Sequence, residues 1–223
     1  MKLRIKFEKA EPVKYISHLD MMRAFERAFR RAKLPLAYSK GFTPHPRLIF
    51  SPALSVGVTS SSEYVDVEFY EDIPVQEVLR RLNSCLPEGL KALKASDFEG
   101  KFALSEINAA LYAVSLAGDY PKEYIEAAVK ELVNKKEINM EKVTKKGIKK
   151  VNIAPMIYNI KVMTKTGGGI LLKMTIAAGQ RESVSPDMII KALSIHLSEE
   201  LIVKHIHREE LYLIKEGNST PPL

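Results

Sequence analysis

Hydrophobic and charged residues alternate along Lys2–Glu8, with Leu3, Ile5 and Phe7 set between Lys2, Arg4, Lys6 and Glu8. That period of two predicts a half-buried strand. The period then lengthens. From Ser17 to Lys33, Met22, Phe25, Phe29 and Ala32 fall on one side of a helical projection, and Arg23, Arg27, Arg30 and Arg31 fall opposite. Ser17 is a natural N-cap with Asp20 three residues on, and Pro35 requires the helix to end near Leu34. A second strand is expected from Arg47 to Phe50. Glu63–Phe69 alternates Tyr and Val against acids and predicts a third. Asp72 is expected to cap a helix with Pro74 in its first turn, running to about Cys85, before Pro87–Gly89 breaks it and Leu90–Ser96 closes as a strand.

The second half repeats this order of elements without repeating the residues. A strand is expected at Ala109–Leu116 and a helix at Pro121–Asn134. Val151–Met163 and Ile170–Ala177 read as a hairpin across Gly167–Gly169. A helix capped by Ser185, with Pro186 first, is expected to reach Val203, and Ile206–Ile214 closes as a strand. The fold class read from this pattern is α+β, two tandem ferredoxin-like (βαββαβ) units. The domains are expected at 1–98 and 107–217, with a disordered tail at 218–223 and the lysine-rich Lys135–Lys150 as a mobile loop.

Charge sharpens the picture. The net charge is +7, and residues 1–58 hold 12 Lys/Arg against 4 Asp/Glu, a net +8, whereas residues 59–106 are acidic. Basic charge gathered on one helix and the loop after it points to a polyanion, nucleic acid before membrane. A single cysteine, Cys85, excludes an internal disulfide framework and a protein-only iron–sulfur site. The opening MKLRIKFEK reads as a strand and not a leader, and no apolar run approaches a membrane span, so a soluble, cytoplasmic chain is expected.

The loop YSKGFTPHPR, Tyr38–Arg47, concentrates residues that grip anions and bases. Tyr38 and Phe42 can stack on bases, and Ser39, Lys40 and Arg47 can hold phosphates. Gly41 opens backbone conformations closed to other residues, and His45 can donate a hydrogen bond or move a proton. Phe42 is nonetheless expected to plug the core. His18, on the apolar side of its helix, is expected at the core margin. A metal-independent endoribonuclease pairing His18 with His45 is the alternative. Glu63 is expected to orient Arg47 or His45 from behind. His205 and His207 share one strand face with His196 a helix earlier, but no metal-ligand spacing completes them, so no metal and no cofactor are expected. Lys165–Gly169 (KTGGG) is a hairpin tip and not a phosphate-binding loop, because its lysine precedes the glycines. The stacking motifs of an ordinary RNA-recognition domain are missing.

The run KYISHLDMMRAFERAFRRAKLPLAYSKGFTPHPRLIFSPALSVGVTSSSEYVDVEF closely resembles the opening of the bacterial radical SAM-associated (radical SAM-linked) protein family, a domain of unknown function. The likeness continues more loosely through VNIAPMIY and IHREELYL. It implies a protein encoded beside, or fused to, a radical SAM enzyme. The chain lacks the cluster-binding CxxxCxxC, so the resemblance is to the accessory partner and not the catalyst. Tandem ferredoxin-like domains with basic surfaces are also similar to CRISPR repeat-processing endonucleases, an analogy of fold alone. The expectation is an RNA-binding accessory protein that presents tRNA or rRNA to a nearby-encoded radical SAM enzyme, with no membrane partner. A protein adaptor that binds no RNA is a further alternative.

Overall fold

The computed structural model describes residues 1–99, 101–144, 147–165 and 168–223. It is a mixed α+β chain of mostly antiparallel strands and, among the described residues, four α-helices. The chain divides into two units, Met1–Ile107 with Glu210–Leu223, and Asn108–Glu209. No helix among the described residues is long and apolar enough to cross a membrane.

The first unit holds β1 (Lys2–Lys9), α1 (His18–Arg31), β2 (Leu48–Phe50), β3 (Thr59–Glu68), α2 (Val75–Asn83) and β4 (Leu90–Asp97). The strands lie in the order β4-β1-β3-β2, each neighbour antiparallel. The register sets Leu3 opposite Val67, Ile5 opposite Val65 and Phe7 opposite Glu63. Alternation puts Leu3, Ile5, Phe7, Val65 and Val67 on one face, and the two helices lay Phe25, Phe29, Val78 and Leu82 over it. Phe25 is the hub, with ring centroids 4.5 Å from Phe7 and 5.7 Å from Phe50. The methionine buried by α1 is Met21 and not Met22. Ser17 caps the helix as its sequence implied, its Oγ accepting from the Asp20 amide at 3.1 Å. Arg81 of α2 donates to the Ala32 carbonyl at 2.9 Å, satisfying a carbonyl that the end of α1 leaves open. Asp72 does not cap α2. Pro74 occupies the N-cap without a side-chain bond, and the Asp72 carboxylate lies 3.4 Å from the N-terminal amine.

The second unit holds β5 (Ala109–Leu116), α3 (Lys122–Val133), β6 (Asn139–Thr144), β7 (Gly147–Asn152), β8 (Ile157–Thr164), β9 (Ile170–Ala177), α4 (Pro186–Leu197) and the first part of β10 (Val203–Lys215). Its strands lie β10-β5-β9-β8. Ile125, Ala128, Val129 and Leu132 of α3 are buried, as their spacing required. Two expectations are corrected here. Most of the lysine-rich segment is strand and not loop: β6 and β7 pair from Asn139↔Asn152 inwards. The strand expected over Val151–Met163 is interrupted by a 3₁₀ turn at Ala154–Met156, where Pro155 has no N–H for a ladder. Of the tip expected at Gly167–Gly169, Gly167 lies outside the described residues; Gly168 and Gly169 both have positive φ, and the Lys165 amide donates to the Gly169 carbonyl at 3.0 Å. The last helix stops at Leu197, six residues short of Val203, because Ser198 takes a left-handed conformation (φ +54°).

β10 returns the chain to the first unit, where β11 (Asn218–Thr220) pairs with Leu213–Lys215. The tail expected to be disordered is therefore a hairpin. Glu216 and Gly217 both have positive φ, as a two-residue I′ turn requires. Leu104 and Ile107, further along the chain from β4, are likewise buried in the packed unit. These segments meet on the sheet face away from the helices. There Arg4, fully buried, is bidentate to Asp66 at 2.7 and 2.8 Å and donates to the carbonyls of Phe102 and Pro222 at 2.9 and 3.1 Å. Its guanidinium lies over the rings of Phe98 and Phe102, at 5.4 and 5.6 Å. Beside it, Lys6 Nζ donates to Glu210 at 2.8 Å and the Tyr64 hydroxyl donates to the same carboxylate at 2.6 Å.

Candidate nucleic-acid interface

The loop after α1 is held at its foot by backbone bonds. Tyr38 bridges Pro46, and the Ser39 amide donates to the His45 carbonyl at 2.9 Å. The His45 amide donates to Ser39 Oγ at 3.0 Å, and the Arg47 amide to the Ala37 carbonyl at 2.9 Å. Lys40–Pro44 form the tip, where Gly41 has φ +133°, a region that side chains disfavour. Phe42 does not plug the core. Its ring is fully exposed (110%), since the braced foot carries the tip outward from the edge strand β2. Lys40, Gly41 and His45 are exposed around it, and Tyr38 is 43% exposed.

Below the loop, Arg47 is tied to Glu68 at 2.7 Å. Glu63 does not hold it. Glu63 and Glu68 have opposite parity on β3 and point to opposite faces, and Glu63 is buried opposite Phe7 on the apolar side. Glu68 shares its face with Asp66 and, on β2, with Ile49, which is 61% exposed. Two adjoining hollows of about 300 Å³ each open on this face. Ser39, His45, Arg47 and Glu68 line the first, Lys2 and Lys101 the second, and Ile49, Asp66 and Phe98 border both.

The α1 arginines stand elsewhere. Arg23 and Arg30 are exposed, loosely paired with Asp20 at 3.5 Å and Glu26 at 3.7 Å. Arg27 is exposed with no hydrogen bond or ion pair to any described residue, and Arg31 donates to the Cys85 carbonyl. Because α1 packs on the apolar face, its outer stripe and the hollows lie on opposite sides of the sheet, with the loop at the edge between them. That separation also removes the histidine pair. The His18 ring packs edge-on against Phe50, 6.1 Å away on the helix side, whereas His45 borders the hollow on the other.

A family profile matches residues 2–186, most of the chain. The chain belongs to that family, described as an uncharacterized protein conserved in bacteria (DUF2344). This agrees with the resemblance to a bacterial domain family read from the SHLD and GFTPHPR motifs. No curated protein matches the chain. Among solved structures it is similar to a chain of a Cbf5–Nop10–Gar1 complex, 13% identical with a TM-score of 0.54, over 96% of this chain and 50% of the other. It also matches a chain of the archaeal box H/ACA sRNP Nop10–Cbf5 complex, 13% identical with a TM-score of 0.46, over 92% and 46%. The chain thus spans about half the length of the chains it matches. At such identity the first likeness is one of fold.

The remaining histidines are engaged among themselves and their neighbours. The rings of His205 and His207 stack at 6.2 Å, and His196 lies between Glu131 at 2.9 Å and Lys135 at 3.0 Å. Sequence reasoning missed Glu68 as the partner of Arg47. Parity along β3 was the available signal, since Asp66 and Glu68 share the side opposite Glu63.

Proposed function

We propose that the chain binds RNA and serves as an accessory protein presenting tRNA or rRNA to a radical SAM modification enzyme. The RNA part rests on one observation above others: a phenyl ring, Phe42, fully in water at the tip of a braced loop, with Lys40 and His45 exposed beside it. An exposed aromatic on a basic loop is a stacking platform for unpaired bases, and neighbouring cations hold the backbone. Arg23, Arg27 and Arg30 supply a second, sequence-blind phosphate track around the sheet edge. The radical SAM partner rests on the resemblance alone. The two units are read as ferredoxin-like repeats, a reading supported by the order fourth-first-third-second that the principal strands of each unit share.

Filter binding of labelled single-stranded RNA across a salt series tests this reading. Phe42→Ala is expected to weaken binding by about 1–3 kcal/mol, the contribution of one stacked base. Changing Arg23, Arg27 and Arg30 together to Gln is expected to lower the salt slope by about 2, at roughly 0.7 per phosphate contact on single strands. No binding at low salt, or binding that ignores both variants, would overturn it and favour a protein adaptor.

A further inference from the structure

We infer that the hollow beside the loop reads a single unstacked guanine, through the edge displayed by Arg47 and Glu68. The inference rests on the RNA-binding reading above and gives it a base. Arg47 Nη1 donates to Glu68 Oε2 at 2.7 Å, so the two side chains form one hydrogen-bonded pair. Glu68 Oε1 accepts from no described residue, whereas both oxygens of the neighbouring Asp66 are taken by Arg4. From guanidinium to far oxygen, the pair presents donor, acceptor, acceptor. That is the order on the pairing edge of cytosine. Guanine complements it at all three places, with O6 accepting and N1–H and N2–H₂ donating. Uracil sets its O2 against the free carboxylate oxygen, and adenine sets a donor against the guanidinium and its N1 against the carboxylate. Either mismatch leaves desolvated polar groups unpaired.

The surroundings suit a flat base. The pair lies in a hollow of about 300 Å³, lined also by the exposed side chain of Ile49 and by Phe98, Ser39 and His45. Such a site, mostly apolar with a few converging polar groups, is the usual form of a small-ligand pocket. Phe42 and Tyr38 stand on the same loop, so a strand stacked at the tip can drop one nucleotide inward, as in single-strand RNA recognition.

The test uses labelled, unstructured adenine-rich oligoribonucleotides carrying one central guanine, adenine, uracil or inosine. The full chain is expected to bind the guanine oligomer about 5- to 150-fold more tightly than the adenine one, the range for one bidentate base contact. Inosine, which lacks the N2 amine, should fall between. In Glu68→Gln, checked for fold by circular dichroism, the guanine-to-adenine ratio should collapse towards one. Equal binding of all four oligomers overturns the guanine site and leaves RNA binding standing. A guanine preference that survives in Glu68→Gln overturns the assignment to this pair. Binding of none of them overturns the RNA reading and this inference with it.

Discussion

The two faces of the first unit's sheet are made from alternate residues of the same strands, and both have buried centres, yet they are held in different ways. On the helix side Leu3, Ile5, Phe7, Val65 and Val67 meet Phe25 and Phe29, and stability comes from apolar area removed from water. On the other side Arg4, Tyr64 and Asp66 are as deeply buried, and they are stable there only because each polar group has a partner. The apolar face tolerates changes of shape and is damaged by loss of volume. The polar face tolerates replacement of a whole partnership and is damaged by removal of one member.

The largest expected effect tests the first half of that contrast. Phe25→Ala removes a fully buried ring in contact with Phe7, Phe29 and Phe50, and should cost about 3–5 kcal/mol in denaturant unfolding. A loss under about 1 kcal/mol would show that the helices do not depend on this cluster. Arg4→Met should cost about as much, roughly 3–5 kcal/mol, for another reason: it strands Asp66 without its counter-charge. Here a second substitution helps. Arg4→Met with Asp66→Leu should recover part of the loss, remaining about 1–3 kcal/mol below the parent because the Phe102 and Pro222 carbonyls lose their donor. A double mutant as weak as the sum of the singles would mean that the pair is not a unit.

The same contrast explains how far the sequence could be read. Alternation along Lys2–Glu8 and the helical stripe around Phe25 and Phe29 announced β1, α1 and the apolar face, because those signals are local. Arg4 has no such signal. Nothing in the local pattern shows that Phe98, Phe102 and Pro222 fold over it from distant parts of the chain, so Lys2–Glu8 read as half-buried when Arg4 on its outer face is buried as well. The tail was misread for the same reason, although Glu216-Gly217 offered a turn signal. β6 and β7 were missed because Gly147–Lys150 is exposed on both faces and shows no alternation. At the site, the loop was legible from its composition. Phe42 was not, since hydrophobicity argues for the core and only the braced foot at Ser39 and His45 sends the ring outward.

A smaller effect concerns protons on the polar face. Burial pushes the Glu210 carboxyl upward, but hydrogen bonds from Lys6, Ser62 and Tyr64 outweigh it and hold the group below its ordinary 4.5. A carboxyl depressed in the folded state contributes stability that is fully present above its unfolded value and is lost as pH falls through the folded value. The gap in denaturation midpoint between the parent and Glu210→Gln should therefore be widest above pH 4.5 and should narrow steadily below it. A gap that widens in acid would show that burial, and not the hydrogen bonds, governs this carboxyl.

The smallest effect belongs to the rim of the same face. Arg47 and Glu68 form an ion pair of good length, 2.7 Å, but their side chains are 46% and 30% exposed. Water and salt screen such a pair, and ordering two side chains costs entropy, so exposed pairs contribute about 0–1 kcal/mol. Arg47→Gln should lower the unfolding free energy by no more than about 1 kcal/mol, less in high salt. Arg4 and Arg47 each bind a carboxylate of β3, on residues of the same parity two places apart, so the difference between their two costs isolates burial as the cause. A loss of 3 kcal/mol or more at Arg47, on the order seen for broken buried pairs, would place the rim inside the polar core and leave its carboxylate unavailable to a base.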